Sequence, residues 1–219
     1  MMAFVFPLAL AGFMDILPIK DMTFDLSEAV ETEETAGGEI LTADLGTRLW
    51  HGEVSLADMQ PDEADHALAM LDLLRRAGGS FLCHDRARPW PRVDWQGAVL
   101  AGFAPTLHSV AASTREVRLA GLPPGYALSH RDALGFSYGS NPVRFALHRL
   151  VAPVVADGTG LTPLVEVVPN IRPGWAAGAV VNLVKPACKA IIVPKSFQPG
   201  RRKARMTTGA SFRWQQTLR

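Results

Sequence analysis

Apolar positions in this chain recur mostly at strand spacing. Short β-branched runs at Glu116–Leu119, Phe145–Leu150, Leu164–Val168, Ala179–Val184 and Ala190–Val193 are strand-sized, and Gly, Pro and Asp punctuate the gaps between them. Asp157-Gly158-Thr159-Gly160 predicts a hairpin-type turn between two such runs, and Leu122-Pro123-Pro124-Gly125 another break. One segment follows a different period. Ala64, Ala67, Leu68, Leu71 and Leu74 recur at helical spacing behind Gln60-Pro61-Asp62-Glu63. Pro in the first turn and acids at the positive end of the helix dipole favour a start there. Arg75-Arg76 suit the last turn, and Gly78-Gly79 supply a left-handed stop. The spacing therefore predicts an amphipathic helix over 61–77, packed by one face on a sheet. Val143–Val151 (VRFALHRLV) reads as a helix following Asn141-Pro142 and equally as a strand with Val143, Phe145, Leu147 and Arg149 on one face. Local pattern does not separate the two.

These elements predict a mainly β fold with one clear α-helix. A β-sandwich carrying the helix is expected over 1–96, and the Pro- and Trp-rich stretch Pro89–Gly97 (PWPRVDWQG) marks its boundary. A second, small all-β barrel or sandwich is expected over 97–184. The C-terminal strands of 185–219 then return to the first unit, with a loop from Pro194 to Met206 and a final strand through Thr208–Leu218. The opening MMAFVFPLALAGFM is apolar, but no base precedes Lys20 and Pro7 interrupts the run. It falls short of the ~18 residues a spanning helix needs, so it reads as a buried strand or docking arm of a soluble protein.

Composition adds one feature that the pattern does not show. The 219 residues hold 22 Lys and Arg against 21 Asp and Glu, a net of +1, yet the charges are segregated along the chain. Residues 1–66 contain 14 acids and only Lys20 and Arg48 as bases. Residues 167–219 contain ten bases and no acid. The total excludes a generally basic nucleic-acid binder but not a basic C-terminal patch. A hydrophobic content of 48% excludes intrinsic disorder. Two cysteines, Cys83 and Cys188, exclude a disulfide scaffold and a zinc quartet, and read as reduced, buried thiols.

Candidate chemistry is sparse. Gly135-Phe136-Ser137-Tyr138-Gly139 is a literal G-x-S-x-G, which as a nucleophile elbow requires a strand-to-helix turn followed by an acid and then a histidine. His148 is the only later histidine, no acid lies between it and Ser137, and Asp157 and Glu166 follow in the wrong order. A triad at Ser137 would have to recruit His108 or His130 from upstream. A β-turn is the plainer reading. Cys83-His84-Asp85 holds three metal-ligand types, but consecutive strand residues point to opposite faces. No phosphate-binding glycine motif occurs. Neither catalytic residues, nor a metal, nor a cofactor is expected. The acidic run Glu28, Glu31, Glu33, Glu34 reads as a solvated loop or an interface patch. The basic run Arg201, Arg202, Lys203, Arg205 reads as a surface loop, a phosphate contact or localisation tag, or a dock for this chain's own or a partner's acidic segment.

Three longer phrases carry a resemblance. Gly37–Leu56 (GGEILTADLGTRLWHGEVSL) leads into the helix with the spacing D-x-G-x-R-x-W-x-G at Asp44, Gly46, Arg48, Trp50 and Gly52. Leu122–Phe136 (LPPGYALSHRDALGF) and Val154–Arg172 (VVADGTGLTPLVEVVPNIR) are turn-and-strand phrases of the same kind. Over residues 37–193 the chain resembles structural tail components of long-tailed bacteriophages and gene transfer agents, and most of all their distal tail proteins. It differs in having Arg131 where that phrase usually carries Gly. The resemblance implies a tube-like β-sandwich with a helix plus an outward-facing β-domain. It also implies a non-enzymatic virion tail subunit, made in the host cytoplasm and needing no membrane. Such subunits form a hexameric ring that joins tail tube to baseplate hub and leaves a channel for DNA. Another tail-tip or hub-associated subunit is the alternative, and a small serine hydrolase using Ser137 the least expected.

Overall fold

Nearly every apolar run becomes an antiparallel strand. The structure, a computed structural model, describes residues 4–44 and 46–219. The first part of the chain forms β1 (Ile19–Met22), β2 (Asp25–Leu26), β3 (Val30–Glu34), β4 (Ile40–Asp44), β5 (Trp50–Leu56), the helix α1 (Pro61–Leu74) and β6 (Phe81–His84). The middle forms β7 (Thr106–Val110), β8 (Glu116–Ala120), β9 (Ala127–Leu128), β10 (Ala133–Tyr138), β11 (Arg144–Leu150), β12 (Val154–Val155), β13 (Val165–Val168) and β14 (Val181–Asn182). The end forms β15 (Ala187–Ile192), β16 (Arg201–Lys203), β17 (Met206–Thr208) and β18 (Ser211–Gln216).

Two six-stranded sheets follow, both curled into half-barrel or near-barrel shapes. The first has the order β1-β5-β18-β15-β6, with β2 continuing the β1 edge beside the start of β5. The second has the order β14-β10-β11-β13-β8-β7. The fold is mainly β with one α-helix, as the apolar spacing indicates. Each sheet covers its own core. Trp50, Phe81, Phe212 and Trp214 fill the first, and Ala64, Ala67, Met70, Leu71 and Leu74 of α1 close over it. Leu107, Leu119, Leu122, Leu134 and Val167 fill the second. The apolar N-terminus docks only in part: Leu8 bridges Phe81 in parallel and Phe13 and Met14 are buried in the first core, whereas Phe4 and Val5 are exposed and Met1, Met2 and Ala3 lie outside the described residues.

Several boundaries differ from the sequence reading, each for a physical reason. The helix stops at Leu74, so Arg75 is its C-cap rather than part of the last turn, and Gly78 takes the left-handed conformation (φ 81°). Arg75 and Arg76 instead lie over the rings of Phe197 and Phe6, at 4.8 and 4.7 Å. Ala179–Val184 contributes only the two-residue β14. The loop expected over 194–206 contains β16, which pairs with β17 as a hairpin, and the last strand starts at Ser211. Val143–Val151 is a strand, β11, with β10 on one side and β13 on the other. It is covered on both faces: Ala146 and Leu150 enter the second core while Leu147 enters the first.

Arg131 occupies the tightest point of the Ser129–Asp132 turn with φ 65°, the left-handed region that favours glycine. A non-glycine residue there costs roughly 1–2 kcal/mol. Arg131→Gly is therefore expected to stabilise the chain by about 1 kcal/mol, after allowing for the greater freedom glycine gives the unfolded chain. It also removes a cation whose field opposes the charge on Arg149. A rise in the denaturant midpoint checks this, and a fall would mean that the Arg131 side chain does more than fill the turn.

Candidate assembly surfaces

The acidic segment is a protruding arm. β3 and β4 pair only with each other, from Val30↔Asp44 to Glu34↔Ile40, and Thr35 and Glu39 close the tip. The acidic run is thus a two-stranded ribbon rather than the solvated loop that its polar composition suggests. All five residues of β3 are exposed, as is Glu28. The arm is rooted where Ser27 exchanges hydrogen bonds with Leu49: the Ser27 N–H donates to the Leu49 carbonyl, and the Leu49 N–H donates to Ser27 Oγ at 2.9 Å. The Arg48 side chain donates to the Ser27 carbonyl at 2.9 Å. These contacts place the root at the Trp50 end of β5.

The basic run is also a hairpin rather than a loop. Arg201, Arg202 and Lys203 form β16, Arg205 sits in the turn, and all four are exposed. This hairpin is anchored at the other end of β5, where Met59 and Thr207 bridge beyond Leu56. Arg202 pairs with Asp65 of α1 at 3.1 Å. Among the described residues, no ion pair joins Glu28, Glu31, Glu33 or Glu34 to this hairpin. The seven residues of β5, about 20 Å at ~3.3 Å per residue, separate the root of the arm from the anchor of the basic hairpin.

Between the cores lies a buried polar seam. Arg149 donates to Asp85 Oδ2 at 2.8 Å and to the Phe24 carbonyl at 3.3 Å, and its guanidinium lies 4.6 Å from the Trp50 ring. Burial works against its charge, and the Asp85 carboxylate works for it. Trp50 Nε1 donates to the Leu147 carbonyl at 2.8 Å, and Gln216 joins Trp50 to Phe145. In the sequence Arg149 shares a strand face with Val143, Phe145 and Leu147, and a cation among apolar residues signals a buried partner, but nothing local points to Asp85.

Segment 85–103 is braced by two buried carboxylates. Asp94 accepts from the Val99 and Leu100 amides and the Tyr126 hydroxyl, and Asp132 accepts from the Arg92 and Ser129 amides. Burial and the Asp94 hydrogen bond push the Tyr126 hydroxyl well above its ordinary pKa, so it stays a donor. The braced segment presents Trp95 to solvent at 70% exposure, edge-on to Trp90 with ring centres 4.6 Å apart. In the sequence these tryptophans mark only a boundary, because nothing local shows which of them faces solvent. An exposed indole on a fixed backbone is the arrangement a docking surface requires.

The hydrolase elements do not converge. Ser137 is exposed within β10, paired to Phe145, and no strand-to-helix turn follows it. His148 lies on the opposite face of the sheet, stacked on Phe136, with Nδ1–H donating to the Pro169 carbonyl at 2.7 Å. The ring nitrogens of His108 and His130 contact Ser109 and Val151 instead. Cys83 and Cys188 face each other across β6 and β15, fully buried as free thiols, and burial raises both pKa values. Among the described residues no group of metal-ligating side chains assembles, and no helix is long and apolar enough to cross a membrane. No protein-family model matches the chain, and no curated protein matches it.

Proposed function

We propose that this chain is a structural, non-enzymatic ring subunit of a phage-type tail, of the distal tail kind, that joins a tail tube to a baseplate hub. The observation that carries this reading is the pair of opposed charged elements. An acidic arm that makes no ion pair among the described residues and an exposed basic hairpin leave the two ends of one strand. Such unlike surfaces are what head-to-tail contacts in a closed ring join, and what contacts between stacked rings join. The three turn-and-strand phrases that resemble distal tail proteins, and the mainly β fold with a single helix, support the same assignment. Glu28, Glu31, Glu33 and Glu34 serve as one contact surface and Arg201, Arg202, Lys203 and Arg205 as another. The assembled ring leaves a channel through which DNA passes.

The test is a mass measurement on the purified full chain. Six chain masses are expected at low salt, with association weakened about tenfold or more on going from 0.1 to 1 M salt as the charges are screened. A three-fold or single-copy stoichiometry in the assembled particle would instead favour a hub-associated subunit. A chain that stays monomeric, alone and with tail partners, would reject the ring.

A further inference from the structure

The acidic arm needs a seat that combines apolar surface with cations. Its register sets Glu33 opposite Leu41 and Glu34 opposite Ile40, so acids and aliphatic side chains share each face near the tip. Val30, Ile40 and Leu41 are 46%, 66% and 51% exposed. A lone two-stranded ribbon is marginal in water, so this one gains from a second surface.

We propose that the cleft beside Trp95 receives the β3–β4 arm of a neighbouring copy, an assignment that rests on the ring reading and names its lateral contact. The cleft encloses about 570 Å³ and is lined by Arg86, Arg88, Trp90, Arg92, Trp95 and Asp132. Arg86 donates to the Met14 and Leu17 carbonyls and Arg88 to the His130 carbonyl, while Asp132 accepts from backbone amides, so three cations face one carboxylate and the net charge of the cleft is positive. Arg92 is exposed, and among the described contacts its side chain makes no hydrogen bond or ion pair. The exposed Val93 and Val99 extend the apolar surface along the same segment. Because Asp94 and Asp132 hold the backbone in place, docking orders little further chain.

The other cationic surfaces fit the arm less well. The basic hairpin offers Met206 as its one exposed large apolar side chain among the described residues, and the cleft holding Arg48, Arg115 and Arg172 offers none. Topology agrees. The arm emerges from β2 on the β1–β5 side of the first sheet, whereas the cleft follows β6 on the opposite edge. Three strand spacings, about 14 Å, separate β5 from β6. An arm on one edge and a seat on the other satisfy a head-to-tail ring, and the basic hairpin is left for a partner along the axis.

Cross-linking tests this on the full chain. One chain carries Leu41→Cys and another Val93→Cys, which keeps the Trp95 indole in place; the native thiols are buried and do not compete. On mild oxidation the mixture is expected to give a covalent pair that neither chain gives alone. Adding Arg92→Glu to the second chain reduces its yield at least tenfold, and Glu33→Lys with Glu34→Lys in the first chain restores it. Linkage of Leu41→Cys to Arg201→Cys instead would overturn the seat while leaving the ring intact. A hexamer without either link does the same. Linkage at position 93 in a chain that never exceeds a pair keeps the seat and removes the ring. No link and no association remove both.

Discussion

Arg149→Ala is expected to destabilise the chain by about 3–5 kcal/mol, because it strips the partner from a carboxylate held between two cores. The Arg149 and Asp85 side chains are only 8% and 16% exposed, so solvent does not replace the lost contact. The substitution also leaves the Phe24 carbonyl with one donor fewer and removes the cation from the faces of Phe24 and Trp50. A loss of this size is a large part of the 5–15 kcal/mol that holds a domain together. Replacing both partners, Arg149→Met with Asp85→Leu, should recover most of it, since apolar groups of similar volume carry no desolvation penalty. Urea unfolding of the two single variants and the double variant measures the coupling directly. If Arg149→Ala stays within about 1 kcal/mol of wild type, the seam is held by packing rather than by this pair.

Acid should be the second large perturbation, acting through two buried histidines. Burial lowers the pKa of His148 to about 4, with the Pro169 carbonyl opposing the shift and Arg172 adding to it. Burial likewise lowers His84 to about 4, with Asp15 opposing and Lys185 reinforcing. Above the ordinary value of 6.5 both states are neutral and the full stability is present. Between pH 6.5 and 4 the unfolded chain binds protons that the folded chain refuses, so stability falls with pH and the loss levels off below 4. Each histidine contributes a loss on the order of 3 kcal/mol across that window. Unfolding midpoints at pH 7, 5.5 and 4 should fall steadily, and His148→Asn, which no longer titrates there, should lessen the slope. A flat profile over this window would show that both rings take up protons without opening the fold.

The helix was legible because its apolar spacing is local and its start is marked by Pro61, Asp62 and Glu63. The Asp157–Gly160 turn was legible for a similar reason, although it is not the hairpin expected: β12 before it pairs with β9, and β13 after it pairs with β8 and β11. Asp157 accepts hydrogen bonds from Thr159 and Leu161 within its own loop, and Gly160 supplies the left-handed residue with φ 79°. Val143–Val151 was not legible, because a strand covered on both faces loses the alternation that identifies strands. Its identity comes from β10 and β13, whose residues lie before and after it in the chain. The charged runs misled in the same direction. Both look like loops because hairpin strands without a covered face carry no apolar pattern, yet each forms a ladder with its nearest neighbour in sequence.

Taken by itself, the amino-acid order determined the β character, the single helix, the local turns and the segregation of charge, all of which depend on residues within a few positions of one another. Only the tertiary structure decided which distant segments meet. It paired Arg149 with Asp85, placed Ser137 and His148 on opposite faces of one sheet, and braced Trp95 outward on two buried carboxylates. It also set the acidic arm and the basic hairpin at opposite ends of β5. The physical reason is that strand pairing and burial join residues far apart in the chain, and the free energy of those contacts is not encoded in any local window.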